Sequence, residues 1–105
     1  MIKLEIDAES YDLDSDLKRR IEDRIGGLDE FMDTLDKGHV TVSWEGGPHE
    51  QTRVRAQVSG PGHEFEGSDT DWKPVKAIDQ TRQKLESQIR REHRKQISER
   101  DRKRR

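Results

Sequence analysis

Between residues 40 and 67, three consecutive short runs alternate apolar and polar side chains, a period that suits strands and no helix. Val40, Val42 and Trp44 alternate with Thr41 and Ser43, and Val54, Ala56 and Val58 alternate with Arg53, Arg55 and Gln57. His63, Phe65 and Gly67 complete the series. Glu45-Gly-Gly-Pro-His and Ser59-Gly-Pro-Gly separate the runs with turn chemistry. A strand with one apolar face covers a core on that side and meets water on the other. A shorter run at the start, Ile2, Leu4 and Ile6 against Lys3, Glu5 and Asp7, adds a fourth strand of the same kind.

Helical periodicity flanks the three runs. Asp14 is the expected N-cap of a first helix, and Asp16 places negative charge at the positive end of its dipole. Leu17, Ile21, Ile25, Leu28, Met32 and Leu35 then form one stripe, which predicts five turns ending at Lys37-Gly38. Gly26-Gly27 interrupts that stripe at a cost of roughly 1 kcal/mol per glycine, so close packing or a bend is expected there. A second helix starts near Asp71 with Pro74 in its first turn and runs to the C-terminus. Its stripe is Val75, Ile78, Leu85 and Ile89, but the position between them is Arg82. Either that arginine snorkels or Thr81 turns inward in its place. Glu86–Arg90 and Glu99–Lys103 are spaced to form ion pairs along the helix.

The order β-α-β-β-β-α predicts an α+β domain: a four-stranded mixed sheet, two helices on one face, and a long basic C-terminal helix. The first strand, first helix and second strand imply a parallel pair, and hairpins make the remaining pairs antiparallel. The expected core is Ile2, Leu4, Ile6, Ile21, Leu28, Val42, Val54, Val58, Phe65, Ile78 and Leu85. Trp44 also lies on an apolar strand face, and Trp72 either lies over the start of the second helix, the favoured reading, or stays half-exposed to stack on a base or partner.

Charge is divided unevenly. Residues 73–105 hold thirteen basic and five acidic side chains, whereas residues 1–72 hold eight and eighteen, so a net charge of −2 conceals a strong dipole. A cationic helix beside so small a domain points to an anionic partner. Without cysteine there is no disulfide framework and no thiolate zinc site. The four histidines show no metal-ligand spacing, so neither a metal nor a cofactor is expected. Nor is there a glycine-rich phosphate loop or a nucleophile–base arrangement, and catalysis is not expected. No signal sequence or apolar span suits a membrane, which makes the cytoplasm the default. Residues 1–97 are read as one domain and 98–105 as a frayed basic tail.

Several local motifs add to this. Leu17-Lys18 opens the first helix, Gly26-x-Leu28-x-x-Phe31 closes it, and His39-Val-Thr-Val-Ser forms the second strand. In the last helix Ala77-Ile-Asp is followed by Lys84-Leu-x-x-Gln-Ile. Together these motifs resemble the ribosome hibernation-promoting factor and ribosome-associated inhibitor family, also called sigma-54 modulation proteins, in its short form. The resemblance implies a non-catalytic inhibitor that binds 16S rRNA in the decoding channel of the small ribosomal subunit, blocking mRNA and tRNA. It places the family's basic positions on Lys18, Arg24, Lys84, Arg91 and Lys95, with Arg90 and Arg94 as helpers. It also implies a monomer off the ribosome, without a small-molecule substrate. The acidic side chains Glu22, Asp23, Asp29, Glu30, Asp33 and Asp36 support a rival reading. In that reading the fold is a protein–protein regulator whose acidic first helix is the recognition face.

Overall fold

The computed structural model describes residues 1–9, 11–46 and 50–103, with side chains described as far as residue 95. Strand β1 (Lys3–Glu9) leads into helix α1 (Ser15–Gly26) and one turn of 3-10 helix (Gly27–Glu30). Strands β2 (Lys37–Glu45), β3 (Gln51–Gly60) and β4 (His63–Asp71) follow, and helix α2 (Pro74–Lys103) ends the chain. The sheet order is β1-β2-β3-β4, with β1 parallel to β2 and the other two pairs antiparallel. This is the expected α+β architecture.

Helix α1 starts as its sequence dictates: Asp14 accepts a hydrogen bond from the Leu17 N–H at 2.7 Å. It ends earlier than its stripe predicts, at Gly26 rather than at Lys37-Gly38, and Lys37 and Gly38 instead belong to β2. The Gly26 carbonyl accepts from the Ile2 N–H at 2.8 Å, and a Cβ on Gly26 would stand 3.4 Å from Met1 and 3.5 Å from the Ile2 carbonyl. The glycine pair therefore marks both a close approach and a break. Beyond it the chain tightens, and Leu28, Met32 and Leu35 reach the core from a 3-10 turn and loop rather than from a helix. Between β3 and β4, Gly62 supplies the turn with φ +77°.

Both helices contribute to one core beneath the sheet. Ile21, Ile25, Ile78, Leu85 and Ile89 meet Val40, Val42, Val54, Ala56, Val58 and Phe65. Four expectations change. Leu4 and Ile6 are only half-buried, packed against the rim of the cluster because β1 is the outermost strand. Val75 is 40% exposed, since Ala77 occupies the inward position one helical turn before Thr81. Trp44 lies on the core-facing side of β2, one residue from the end of the strand, and it is 40% exposed. Trp72 is 71% exposed in the link between β4 and α2. That helix begins at Pro74 because β4 continues through Asp71, which then accepts from the Lys73 N–H at 2.9 Å.

Thr81 settles the break in the second stripe. It is fully buried, and its hydroxyl lies between the carbonyls of Ala77 (2.8 Å) and Val54 (3.2 Å). Arg82 is displaced sideways. The expected Glu86–Arg90 pair forms at 3.0 Å, whereas the side chains of Glu99 and Lys103 lie outside the described residues. The same holds for the side chains of Arg100 and Arg102 to Arg105 and for the Gly47-Pro48-His49 turn. The α2 backbone itself continues through Lys103.

Candidate nucleic-acid interface

Helix α2 carries its cations in two rows, one on each side of the stripe that enters the core. The inward residues are Ala77, Ile78, Thr81, Leu85 and Ile89. At 3.6 residues per turn, Lys84, Gln88, Arg91 and Lys95 share the flank toward β4, and Arg82, Glu86, Arg90 and His93 share the flank toward α1.

The β4 flank is polar and open. Lys84 donates from Nζ to the Ser68 carbonyl at 2.9 Å and pairs with Asp69 at 3.4 Å. Gln88 donates to the Glu66 carbonyl at 2.8 Å. Arg91 joins Lys84, Gln80, Gln83, Ser87, Gln88 and Asp69 around a pocket of about 570 Å³. Lys95 continues the row one turn beyond Arg91. Arg91 and Lys95 are exposed and take part in no ion pair among the described residues, so both charges face solvent.

The opposite flank is a stacked network. The Arg90 guanidinium lies 4.8 Å from the Phe31 ring centroid and that of Arg82 lies 5.8 Å from it. Glu86 bridges the two arginines at 2.8 and 3.0 Å. Arg82 Nε also donates to the Arg24 carbonyl at 3.2 Å, which ties α2 to the last turn of α1. Arg90 and Arg94, with Glu30, Phe31 and His93, line a second pocket of about 540 Å³. On α1, Arg20 and Arg24 converge on Asp79 of α2 at 3.1 and 3.5 Å.

The seven expected site residues therefore fall into separate places. Lys84, Arg91 and Lys95 share one flank; Arg90 and Arg94 share the other; Arg24 sits at the seam between the helices. Lys18 is exposed on α1, with no ion pair among the described residues, and belongs to neither row. Sequence reasoning anticipated the Glu86–Arg90 pair but missed the bridge from Glu86 to Arg82, the ring support from Phe31 and the part played by Arg20. Arg82 inside an apolar stripe was the available signal, because a cation there needs something to lie against.

The solvated sheet face contrasts with α2, because its two arginines are both paired with glutamates across or along the strands. Arg55 meets Glu66 at 2.6 Å, Arg53 meets Glu45 at 2.5 Å, and Asp7 meets His39 at 2.6 Å. Gln57 also donates to Glu64. Cross-strand pairing accounts for this face. Among the described residues no cluster of His, Asp and Glu could hold a metal ion, and no helix is long and apolar enough to cross a membrane.

Residues 4–97 match the family described as sigma 54 modulation protein / S30EA ribosomal protein. The Protein Y N-terminal domain of Thermus thermophilus has the same fold, with a TM-score of 0.73 at 23% identity over 86% of this chain and 96% of that one. A ribosomal subunit interface protein from Coxiella burnetii gives a TM-score of 0.76 at 17% identity over 88% of this chain and 98% of that one. At such identities these two likenesses establish the fold. No curated protein matches the chain by sequence. The family match spans nearly the full length and the fold agrees, so the chain belongs to the sigma 54 modulation protein / S30EA ribosomal protein family, the ribosome-associated hibernation-promoting factors.

Proposed function

We propose that the protein is a non-catalytic translation inhibitor and hibernation factor, which docks its cationic α2 surface on 16S rRNA in the decoding channel of the small ribosomal subunit. In this reading it excludes mRNA and tRNA sterically. The observation that carries it is the exposure of Arg91 and Lys95, with Lys84 beside them, on a flank of a helix whose inward stripe closes the core. A helix anchored in this way presents its charge on a rigid support, and folded rRNA is recognised largely by backbone and shape. The name of the Coxiella burnetii structure, a ribosomal subunit interface protein, agrees with this assignment. Arg90 and Arg94, held beside Phe31, and Arg24 at the helix seam would extend the contact, with Lys18 as an outlying one. Residues 1–97 would form the binding domain and 98–105 a non-specific electrostatic end.

Co-sedimentation with small subunits across a salt series tests the proposal. With about five phosphate contacts, the log–log slope of affinity against salt is expected near −4. Lys84→Glu combined with Arg91→Glu should nearly abolish binding and relieve inhibition of cell-free translation. Reversing Glu64 and Glu66, on the solvated sheet face, should change little. The acidic surface of α1 favours the rival reading of a protein–protein regulator. Failure of the parent protein to sediment with small subunits at low salt would select that reading.

A further inference from the structure

Both tryptophans of this chain are exposed, and they lie at the same end of the molecule. Trp44 stands opposite Thr52 in the β2–β3 register, and Thr52 stands opposite Asp71, the residue before Trp72. With neighbouring strands roughly 5 Å apart, the two aromatic positions fall within about 10–15 Å of each other. Val75, three residues after Trp72 at the start of α2, is 40% exposed. Leaving the two largest apolar side chains in water, in a chain with 27% hydrophobic residues, is what a docking surface requires and a core does not.

The charge around this end selects the occupant. The C-terminus of β1 and the start of α1 arrive at the same place, since Glu9 pairs in register with Ser43 beside Trp44. They bring Glu9, Asp12, Asp14 and Asp16; Glu50 comes from the start of β3. Asp14 and Asp71 are engaged in capping, and Glu45 is engaged with Arg53. Glu9, Asp12, Asp16 and Glu50 are exposed and form no ion pair among the described residues. The opposing cations are Lys73 and Lys76, and Lys73 already lies 5.5 Å from the Trp72 ring centroid. That contact shows that the ring accepts an ammonium group on one face, where an incoming lysine would displace Lys73 or take the other face. Four unneutralised carboxylates repel a phosphate backbone and attract a cationic chain.

From this we infer that the end built by Trp44, Trp72 and Val75 is a docking surface for a lysine- and arginine-rich segment of another protein, seated by cation–π contacts and the surrounding carboxylates. It lies at the N-terminal end of α2. Lys84, Arg91 and Lys95 are ten to twenty-one residues further along, roughly 15–30 Å at 1.5 Å per residue. The inference goes beyond the rRNA reading and does not depend on it.

The two tryptophans are the chain's only ones, so their fluorescence reports on this surface alone. Titration of the full chain with a peptide of alternating lysine and glycine, at low ionic strength, should shift tryptophan emission; a glutamate–glycine peptide should not. Anisotropy of a labelled lysine peptide should show roughly tenfold weaker binding to Trp44→Ala with Trp72→Ala, the scale of losing two cation–π contacts. Asp12→Asn with Asp16→Asn should weaken it too while keeping both reporters, and circular dichroism verifies the fold of each variant. Three results would overturn the inference. One is the absence of any emission change with the lysine peptide; another is equal affinity in the tryptophan double variant. The third is an emission change produced only by single-stranded RNA, or only by self-association of the chain through its own basic C-terminus.

Discussion

At the residue scale, the side chains that matter most are those whose neighbours come from a distant part of the chain. Leu28 and Leu85 are fully buried in the shared core, one from the 3-10 turn and one from α2. Alanine at either position should cost roughly 2–5 kcal/mol in urea melts. A loss below about 1 kcal/mol at both, well under that range, would mean that this packing is wrong. Phe31 is different, because it is half-buried and its ring supports the Arg82 and Arg90 guanidinium groups. If Arg90 contacts rRNA, Phe31→Ala should weaken small-subunit binding by roughly fivefold or more, since two cation–π contacts are lost. Phe31→Tyr should largely restore it. The leucines were legible in the sequence from periodicity alone. The role of Phe31 was not, since spacing along α2 does not reveal which ring of another element lies beside it.

At the scale of elements, the sequence was read correctly wherever one local signal dominated and misread where tertiary contact decided. Strand alternation gave the sheet, and Asp14 gave the start of α1. The stripe from Leu17 to Leu35 looked continuous, yet the chain leaves the helix at Gly26, where the Ile2 N–H just before β1 closes on that carbonyl. Trp44 had the right parity for the core and is nonetheless 40% exposed at the end of β2, a boundary no strand pattern encodes. For α2 the stripe located the buried turns, and among the side chains described, which end at residue 95, the last fully buried one is Ile89. Truncation after Gln96 should therefore leave thermal stability nearly unchanged in circular dichroism melts. A drop of more than about 8 °C, on the order of 1–2 kcal/mol for a domain of this size, would show that the removed residues pack against the domain.

At the scale of the whole molecule, α2 does more to the sheet than cover its core face. Strand β4 lies at the edge of the sheet, with no strand paired beyond it among the described residues. Its outward carbonyls form a template on which a strand from another molecule could add, the usual route to aggregation of β proteins. Two of those carbonyls, on Ser68 and Glu66, are already occupied by Lys84 and Gln88 reaching over from α2. The lysine proposed for phosphate contact is thus also a guard, and if it turned to RNA it would unlock the edge on that side. Removing both guards, with Lys84→Ala and Gln88→Ala, should raise self-association with protein concentration, measured by sedimentation velocity. Sedimentation like that of the parent would mean that the nine-residue strand resists pairing without them. Selection on such a lysine would then act through solubility as well as binding, so its replacement by another cation that serves RNA equally well could still be harmful.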